Sequence, residues 1–400
     1  MHVLVLNSGS SSVKYRMFDG DLTVLASGLI ERIGEETGRA THQLGAGDAV
    51  REEVEEAPVP DHAAAFRSLV AALEGAGLGG DLVAIGHRVV HGGAEFVAPT
   101  VIDEAVLERI RAQIPLAPLH NPANLTGIEA ATALRPDVTQ VAVFDTAFHG
   151  TLPPHAYRYA VPDEVHRDHG VRRYGFHGTS HAYVAHRAAE HLGRPLEDLA
   201  LITLHLGNGA SATAINGGRS VDTSMGLSPL EGLVMGTRSG DIDPAVVFHL
   251  LREAGMSPDD VETLLNRRSG LAGLCGDNDL REIERRIAEG DAAARLALDV
   301  YCYRIRKYIG AYTAALGRLD AVVFTAGVGE NSATVRAQVC RGLDVLGIAV
   351  DPDRNATADA DDGVVAIHAD DAPVAVLVAA TDEEREIAEQ TLAAAAPVRA

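Results

Sequence analysis

Cysteine is scarce in this chain and tryptophan is absent. Cys275, Cys302 and Cys340 are odd in number and widely spaced, which suggests neither a disulfide framework nor a CxxC metal site. The missing tryptophan excludes nothing. No apolar run approaches the ~18 residues needed to span a bilayer, so no transmembrane helix is expected. A signal-peptide h-region is also lacking, because the N-terminus runs straight into a polar Gly/Ser turn. Together these absences read as a cytoplasmic protein. Positive charge is short: 34 Lys and Arg face 56 Asp and Glu, a net charge of −22. That balance argues against non-specific binding to nucleic acid or anionic membrane. Any phosphate handled here must therefore meet cations gathered locally against an unfavourable mean field.

Several motifs are missing too. There is no GxxxxGK[ST], which excludes a P-loop, and no GxSxG elbow to support a Ser-His-Asp hydrolase. His177 and His181 stand four apart, as do His87 and His91, yet neither pair has the HExxH or Cys/His set of a zinc site.

What is present fits a soluble globular chain, with 46% hydrophobic and 22% charged residues. Its 400 residues exceed the ~250–300 at which a single core usually stops growing, so two domains are expected. Residues 2–6 and 13–18 read as paired strands around "NSGSSS", with 22–30 as a third. Residues 35–60 are acidic and interrupted by glycine, an excursion or edge hairpins. Residues 61–77 and 103–114 have helical spacing, with Asp103 as N-cap of the second. Residues 82–93 and 139–149 are apolar strands, the first running into a polar loop and the second carrying Asp145 near its end. A Pro-rich turn and a helix lie between them. The opening pattern then recurs over 199–224 as strand, Gly-rich turn "HLGNGAS", strand and an "NGG" hairpin turn. Residues 291–317 form a long helix, followed by "AVVFTAGVGENS", read as strand, Gly turn and helix start. A last helix over roughly 382–394 is expected to cover the first domain. Each half thus opens with a strand pair around a small-residue turn, an approximate structural duplication. Two such α/β domains would leave a cleft, a common place for ligands.

Taken singly, "NSGSSS" and "HLGNGAS" read more readily as hairpin turns than as phosphate cradles, and strand–Gly–helix packing explains "GVGENS" as well as a nucleotide contact does. Three of them at corresponding places weaken the bland explanation, and the one before a helix suits an anion. Arg88 in "GHRVVHGG" and Arg238 in "GTRSGDID" sit in Gly-flanked loops, where a guanidinium can grip a carboxylate or phosphoryl group bidentately. Surface salt bridging explains either one alone equally well. His120 and His177 lie in Pro- or Gly-rich loops, suited to a ligand or to structural burial. Asp145 ends an apolar strand, where its charge is costly unless paired or bound to a cation. Glu383 and Glu384 begin a helix, where capping and the helix dipole account for them at even odds.

Taken together, "VLNSGSSSVKY", "GHRVVHGG", "LAPLHNPANLTGI", "VFDTAFH", "RRYGFHGTSH", "HLGNGAS", "SVDTSMGLSPLEGLVMGTRSGDIDP", "FTAGVGENS" and "TDEE" resemble the acetate kinase family in its own order. That family belongs to the acetate/sugar kinase, heat-shock-70 and actin superfamily. The resemblance implies an α/β fold of two duplicated actin-like (ribonuclease H-like) domains with an active-site cleft between them. Residues 1–147 would form the first, completed by a C-terminal helix over about 384–400, and residues 148–383 the second, nucleotide-binding one. The implied reaction is reversible transfer of the ATP γ-phosphoryl group to acetate, with Mg2+ or Mn2+, in a cytoplasmic homodimer. Carried over by motif, Asn7 and Glu383 match the metal positions, and Asp145, His177 and Arg238 the catalytic ones. Arg88 and His120 match substrate-side positions, and Val90, Leu119, Phe176 and Pro229 resemble the lining of a methyl pocket. Lys14, His205, Leu206, Gly207, Asn208, Gly209, Asp279, Leu280, Arg281, Gly327, Val328, Gly329, Glu330 and Asn331 match nucleotide-binding positions. Two departures stand out: Asp382 where the family usually has Asn, and unusual wording before the "DLR" of Asp279 to Arg281. A short fatty acid with pKa about 4–5 is already ionised at neutral pH, so no general base is needed and Asp145 is expected to order magnesium, its water or nearby cations. The four bulky pocket residues favour acetate over propionate. The rivals are a propionate or other short-chain acid kinase and a non-metabolic actin-like ATPase.

Overall fold

The computed structural model of the chain describes residues 1–361 and 363–396, the side chain of Asp48 excepted. Two compact units emerge, residues 1–147 with the segment from 382 onward, and residues 148–381. Residues 382 and 383, which the sequence reading gave to the second domain, therefore fall in the first. Of the expected C-terminal helix, residues 397–400 lie outside the described residues.

In the first unit, β1 (His2–Ser8), β2 (Ser12–Phe18), β3 (Val24–Glu31), β4 (Gly38–Leu44) and β5 (Arg51–Ala57) form an antiparallel meander. After α1 (His62–Gly75) come β6 (Leu82–Val89), β7 (Thr100–Val101), α2 (Glu104–Ala112), α3 (Asn121–Leu134) and β8 (Thr139–Phe144). The sheet order is β5-β4-β3-β2-β1-β6-β8-β7, with β6 parallel to both β1 and β8. The acidic 35–60 stretch is thus sheet, with β5 as a charged, exposed edge that discourages pairing with another chain. Period-2 alternation divides β1 between two layers. Leu4 and Leu6 pack with Phe66 and Leu69 of α1 and Ala131 of α3. Val3 and Val5 pack on the other face with Ile387 and Ala388 near the C-terminus. Asp103 caps α2 by accepting a bond from Val106 N at 2.7 Å, as the sequence predicts.

The second unit begins with α4 (Pro154–Tyr157), α5 (Asp163–His169) and α6 (Gly178–Leu192), then β9 (Ala200–Leu206), β10 (Ala210–Asn216) and β11 (Arg219–Thr223). Helices α7 (Ala245–Arg252), α8 (Pro258–Arg267), α9 (Gly270–Cys275), α10 (Leu280–Ala288) and α11 (Ala292–Leu316) follow. Next are β12 (Ala321–Thr325), α12 (Ala326–Asn331), α13 (Ala333–Cys340), α14 (Pro352–Ala356), β13 (Val364–Ala366) and β14 (Ala375–Ala379). Helix α15 (Glu383–Ala395) then completes the first unit against β1, β6 and β8. The second sheet runs β11-β10-β9-β12-β14-β13. Its first five strands repeat the order and directions of β3-β2-β1-β6-β8, so the duplication is topological. Helix α6 covers one face through Val184, Ala185 and Ala188, and α11 packs against β9 and β10. One local expectation fails. "AGVGEN" is a short helix rather than a Gly turn, entered directly from β12 through Ala326 at φ 63°. The left-handed residue turns the chain sharply enough that no loop is required.

Candidate active site

Each sheet carries a tight Gly-rich hairpin at the same place. Between β1 and β2, Gly9 N donates to Ser12 O at 2.8 Å; between β9 and β10, Gly207 N donates to Gly209 O at 3.0 Å. The candidate residues gather around these hairpins, a separate set on each unit.

On the first unit, Asn7 and Lys14 are cross-strand partners. Lys14 is ion-paired with Glu384, and Arg16 Nη1 lies 2.7 Å from Asp382 Oδ1. Asp382 also accepts from Arg385 N at 3.0 Å, so the residue that departs from the family wording caps α15 and is neutralised by Arg16. Burial tends to raise the Glu384 pKa, but the hydrogen bond and charge of Lys14, aided by Arg16, outweigh it and hold the carboxyl below its ordinary value. These two ties fix the start of α15 and with it Glu383. Asp145, buried just past β8, takes the guanidinium of Arg88 side-on: Nε to Oδ1 at 3.0 Å and Nη2 to Oδ2 at 2.6 Å. Nη1 lies 3.5 Å from Asn7 Oδ1, and Nε lies 3.8 Å from Glu383 Oε2. Burial opposes the Arg88 charge, but Asp145, Glu383 and Glu384 outweigh it and raise the pKa. Val90 N donates to Asn124 Oδ1, while Leu119 and His120 lie exposed where α3 begins.

On the second unit, His177 adopts φ 55°, ψ 27° at the N-cap of α6. A non-glycine residue in this region costs ~1–2 kcal/mol and is held only where its surroundings demand it. Its Nδ1 lies 2.9 Å from Ser211 Oγ, and its ring stacks on His205 with centroids 4.1 Å apart. A Cβ added to Gly209 would lie 3.5 Å from His177 Cε1 and 3.6 Å from Arg238 Nη1. Imidazole and guanidinium therefore meet beside a residue without a side chain. Among the described residues Arg238 has no carboxylate partner; Nη1 donates to Pro229 O at 2.9 Å, and burial lowers its pKa. Phe176 is buried, and its carbonyl accepts from His149 Nε2 at 2.9 Å.

The nucleotide-type segments join within this unit. Asn278 Nδ2 donates to Asn208 Oδ1 at 3.0 Å, next to Asp279, which caps α10 and is ion-paired with exposed Arg281. A Cβ on Gly236 would lie 2.1 Å from Asn208 Oδ1, so a side chain there would displace the Asn208 amide. Glu330 turns inward, accepting from Thr381 N at 3.1 Å and Thr325 Oγ1 at 3.3 Å. The buried guanidinium of Arg336 binds the carbonyls of Gly329 and Glu330 at 3.0 and 2.7 Å, closing the C-terminal end of α12.

Sequence reasoning missed Ser180, His181, Ser211, Gly236, Asn278 and the clamp at Arg173. There Nη1 binds the carbonyls of Thr223, Ser224 and Met225, and Nη2 lies 2.6 Å from Glu231 Oε1, fixing the loop that leads to Pro229 and Arg238. A signal for Ser211 existed in the sequence. Thr203 and His205, and Ser211 and Thr213, are polar at period 2 inside strands whose other residues up to Ile215 are apolar and buried.

The model of the acetokinase family matches residues 2–389. An acetate kinase of Streptomyces griseus subsp. griseus is 62% identical over 395 residues, 98% of this chain and 95% of its own length. The crystal structure of Porphyromonas gingivalis acetate kinase aligns with a TM-score of 0.92 at 44% identity, over 98% of this chain and 99% of that one. A propionate kinase from Francisella tularensis subsp. tularensis gives 0.91 at 40% identity, with the same coverage.

Proposed function

The chain belongs to the acetokinase family, and from that premise we propose that it transfers the γ-phosphoryl group of ATP reversibly to acetate, forming acetyl phosphate and ADP. The observation that carries this reading is the pairing of His177 with a carboxylate-free Arg238 beside Gly209. In a chain of net charge −22, a half-buried guanidinium with no counter-ion among the described residues is suited to an anion that arrives from outside.

Acetate is ionised at neutral pH, so the difficulty is to bring one anion onto another, and positioning with charge stabilisation is the expected solution. Asp145 holds Arg88 by its Nε–Nη2 edge, leaving Nη1 to meet the substrate carboxylate. Arg238 and His177 Nε2 receive charge developing on the equatorial phosphoryl oxygens. The hairpin at Gly207 to Gly209, the α10 cap and α12 hold the nucleotide, and Lys14 contacts it once freed from Glu384. Asn7 Oδ1 and the Glu383 carboxylate would hold Mg2+, with Mn2+ as substitute. The fit is chemical: an amide and a carboxylate oxygen suit a hard cation completed by water and phosphate, and their contacts to Arg88, at 3.5 and 3.8 Å, are long enough to be given up to it. When bound, the cation would supply positive charge to the phosphate oxygens. Val90, Leu119, His120, Phe176 and Pro229 would bound the acyl side. On the family's pattern the enzyme works as a cytoplasmic homodimer, and no described helix is long and apolar enough to cross a membrane.

A hydroxamate assay for acyl phosphate with acetate, propionate and butyrate, with and without Mg2+, tests this. One methylene is worth ~1–3 kcal/mol of discrimination, so acetate should lead and propionate follow at roughly 10–200-fold lower kcat/KM. Equal kcat/KM for propionate would make the chain a broader short-chain acid kinase. ATP turnover unaffected by any acid would overturn the reading.

A further inference from the structure

We propose that Ser211 is a positioning residue which, with His181 and Thr203 behind it, fixes His177 as the tautomer that presents Nε2–H to the space beside Gly209. This rests on the phosphoryl-stabilising role of His177 proposed above.

The three residues form one continuous chain. Thr203 Oγ1 lies 2.7 Å from His181 Nδ1, His181 Nε2 lies 2.8 Å from Ser211 Oγ, and Ser211 Oγ lies 2.9 Å from His177 Nδ1. Thr203, His181 and Ser211 are each 0% exposed, so no member can turn to bulk water. A hydroxyl has one proton and a neutral imidazole one N–H, which makes the direction of every bond a matter of counting. Among the described residues, the hydroxyl of Thr203 has no hydrogen-bond partner other than His181 Nδ1. Leaving that buried hydroxyl proton unbonded is costly, so Thr203 donates to His181. Nδ1 of His181 is then an acceptor. Burial pushes the His181 pKa well below its ordinary value, with His149 and His205 adding to the effect, so the ring is neutral and its single proton sits on Nε2. That proton goes to Ser211 Oγ. Ser211 must then direct its own proton to His177 Nδ1, and a neutral His177 is left with its proton on Nε2.

The opposite tautomer would aim a bare lone pair at an anionic phosphoryl group. The chain therefore does more than hold a ring in place: it selects the face of the imidazole that can donate. The left-handed backbone of His177 points the same way, since that strain persists only where surrounding contacts over-determine the residue.

The test uses the full chain labelled with 15N-histidine, with His177 identified by its loss in His177→Gln. Long-range 1H–15N correlations at pH 8 should show His177 protonated at Nε2 in the unsubstituted enzyme. Ser211→Ala should leave a mixture of tautomers and lower kcat at least about tenfold, a loss of the kind seen when a catalytic histidine is held in the wrong tautomer. KM for ATP and acetate should stay within about threefold, because binding groups are untouched. Thr203→Val removes only the first donor and should give the same pattern if Ser211→Ala does not fold, while Thr203→Ser should restore both signals. An Nδ1–H tautomer in the unsubstituted enzyme overturns the proposal, as do unchanged tautomer and kcat in Ser211→Ala. A fully active His177→Gln enzyme would sink the catalytic reading of His177 and leave the tautomer assignment to stand or fall on the spectra.

Discussion

At the residue scale two guanidiniums stand in opposite electrostatic settings, and the proposed chemistry rests on both. Arg88 is compensated by Asp145 through two parallel bonds, whereas among the described residues the Arg238 guanidinium is met only by a carbonyl and a methionine sulfur. The first is oriented by protein; the second awaits charge. Arg238→Ala should therefore lower kcat by roughly 10²–10³-fold, the usual cost of removing one donor to a developing oxyanion. ATP affinity by equilibrium titration should change little, and a near-normal kcat would refute the assignment. Asp145→Asn keeps the shape but loses the charge-assisted half of the Arg88 contact, worth about 1.5–3 kcal/mol. That corresponds to roughly 10–100-fold in kcat/KM for acetate. Because no proton has to leave acetate, the loss should be independent of pH from 6.5 to 8.5. A loss that grows toward low pH would instead identify Asp145 as a general base. Asp145 and Arg88 were each legible in the sequence, one as a charge ending an apolar strand and the other as a cation between glycines. Their pairing was not, because it joins positions 57 residues apart through the parallel register of β6 with β8.

Elements place those residues, and their ends matter more than their middles. Asn7 and Arg88 lie one residue before the ends of β1 and β6, Asp145 follows β8, and Glu383 opens α15. All four sit at the carboxyl ends of parallel strands or at a helix start, where backbone donors and short loops converge. Helix α15 is held there by its Asp382 cap and two ion pairs to β2. Asn caps a helix as well as Asp does, so Asp382→Asn should cost little stability despite losing the charge that Arg16 meets. Asp382→Ala should cost about 1 kcal/mol through the cap itself. Urea unfolding of the two variants separates these terms, and equal losses would show that the Arg16 pair, not the cap, fixes the helix. Strand pairs and N-caps were readable because alternation and capping are local rules. The short α12 was not, since "AGVGEN" has glycines where helices rarely do, and it is held by tertiary bonds from Arg336. The Thr203–His181–Ser211 chain was half legible: its period-2 polar stripe is in the sequence, but only packing of α6 on β9 joins its members.

For the molecule as a whole, the duplicated sheets bury titratable groups in both units, and this gives stability a definite pH dependence. His87 in β6 donates from Nε2 to Gln140 Oε1 at 2.7 Å, and His149 bridges Ser220 and the Phe176 carbonyl. Burial pushes each down to about 4, from 6.5 in an exposed chain. The folded pKa is the lower one, so the unfolded chain binds more protons between these values and stability must fall as the medium is acidified. The contribution is fully present above pH 6.5 and is lost progressively toward pH 4. At pH 5 the loss is about 2 kcal/mol for each histidine, appreciable against a total of ~5–15 kcal/mol. Net charge acts in the opposite sense, because −22 at pH 7 relaxes toward zero near the isoelectric point of 5.1 and removes self-repulsion. Salt decides between the two. At ~1 M salt the screening length is ~3 Å, which suppresses long-range repulsion but leaves buried imidazoles untouched. The urea midpoint at high salt should therefore fall clearly from pH 7.5 to pH 5, and by less at low salt, where relief of repulsion offsets part of the loss. A midpoint that rises on acidification at high salt would mean that the buried histidines are not what limits stability. His87→Gln should flatten the fall only in part, since His149 lies in the other unit and keeps its own penalty.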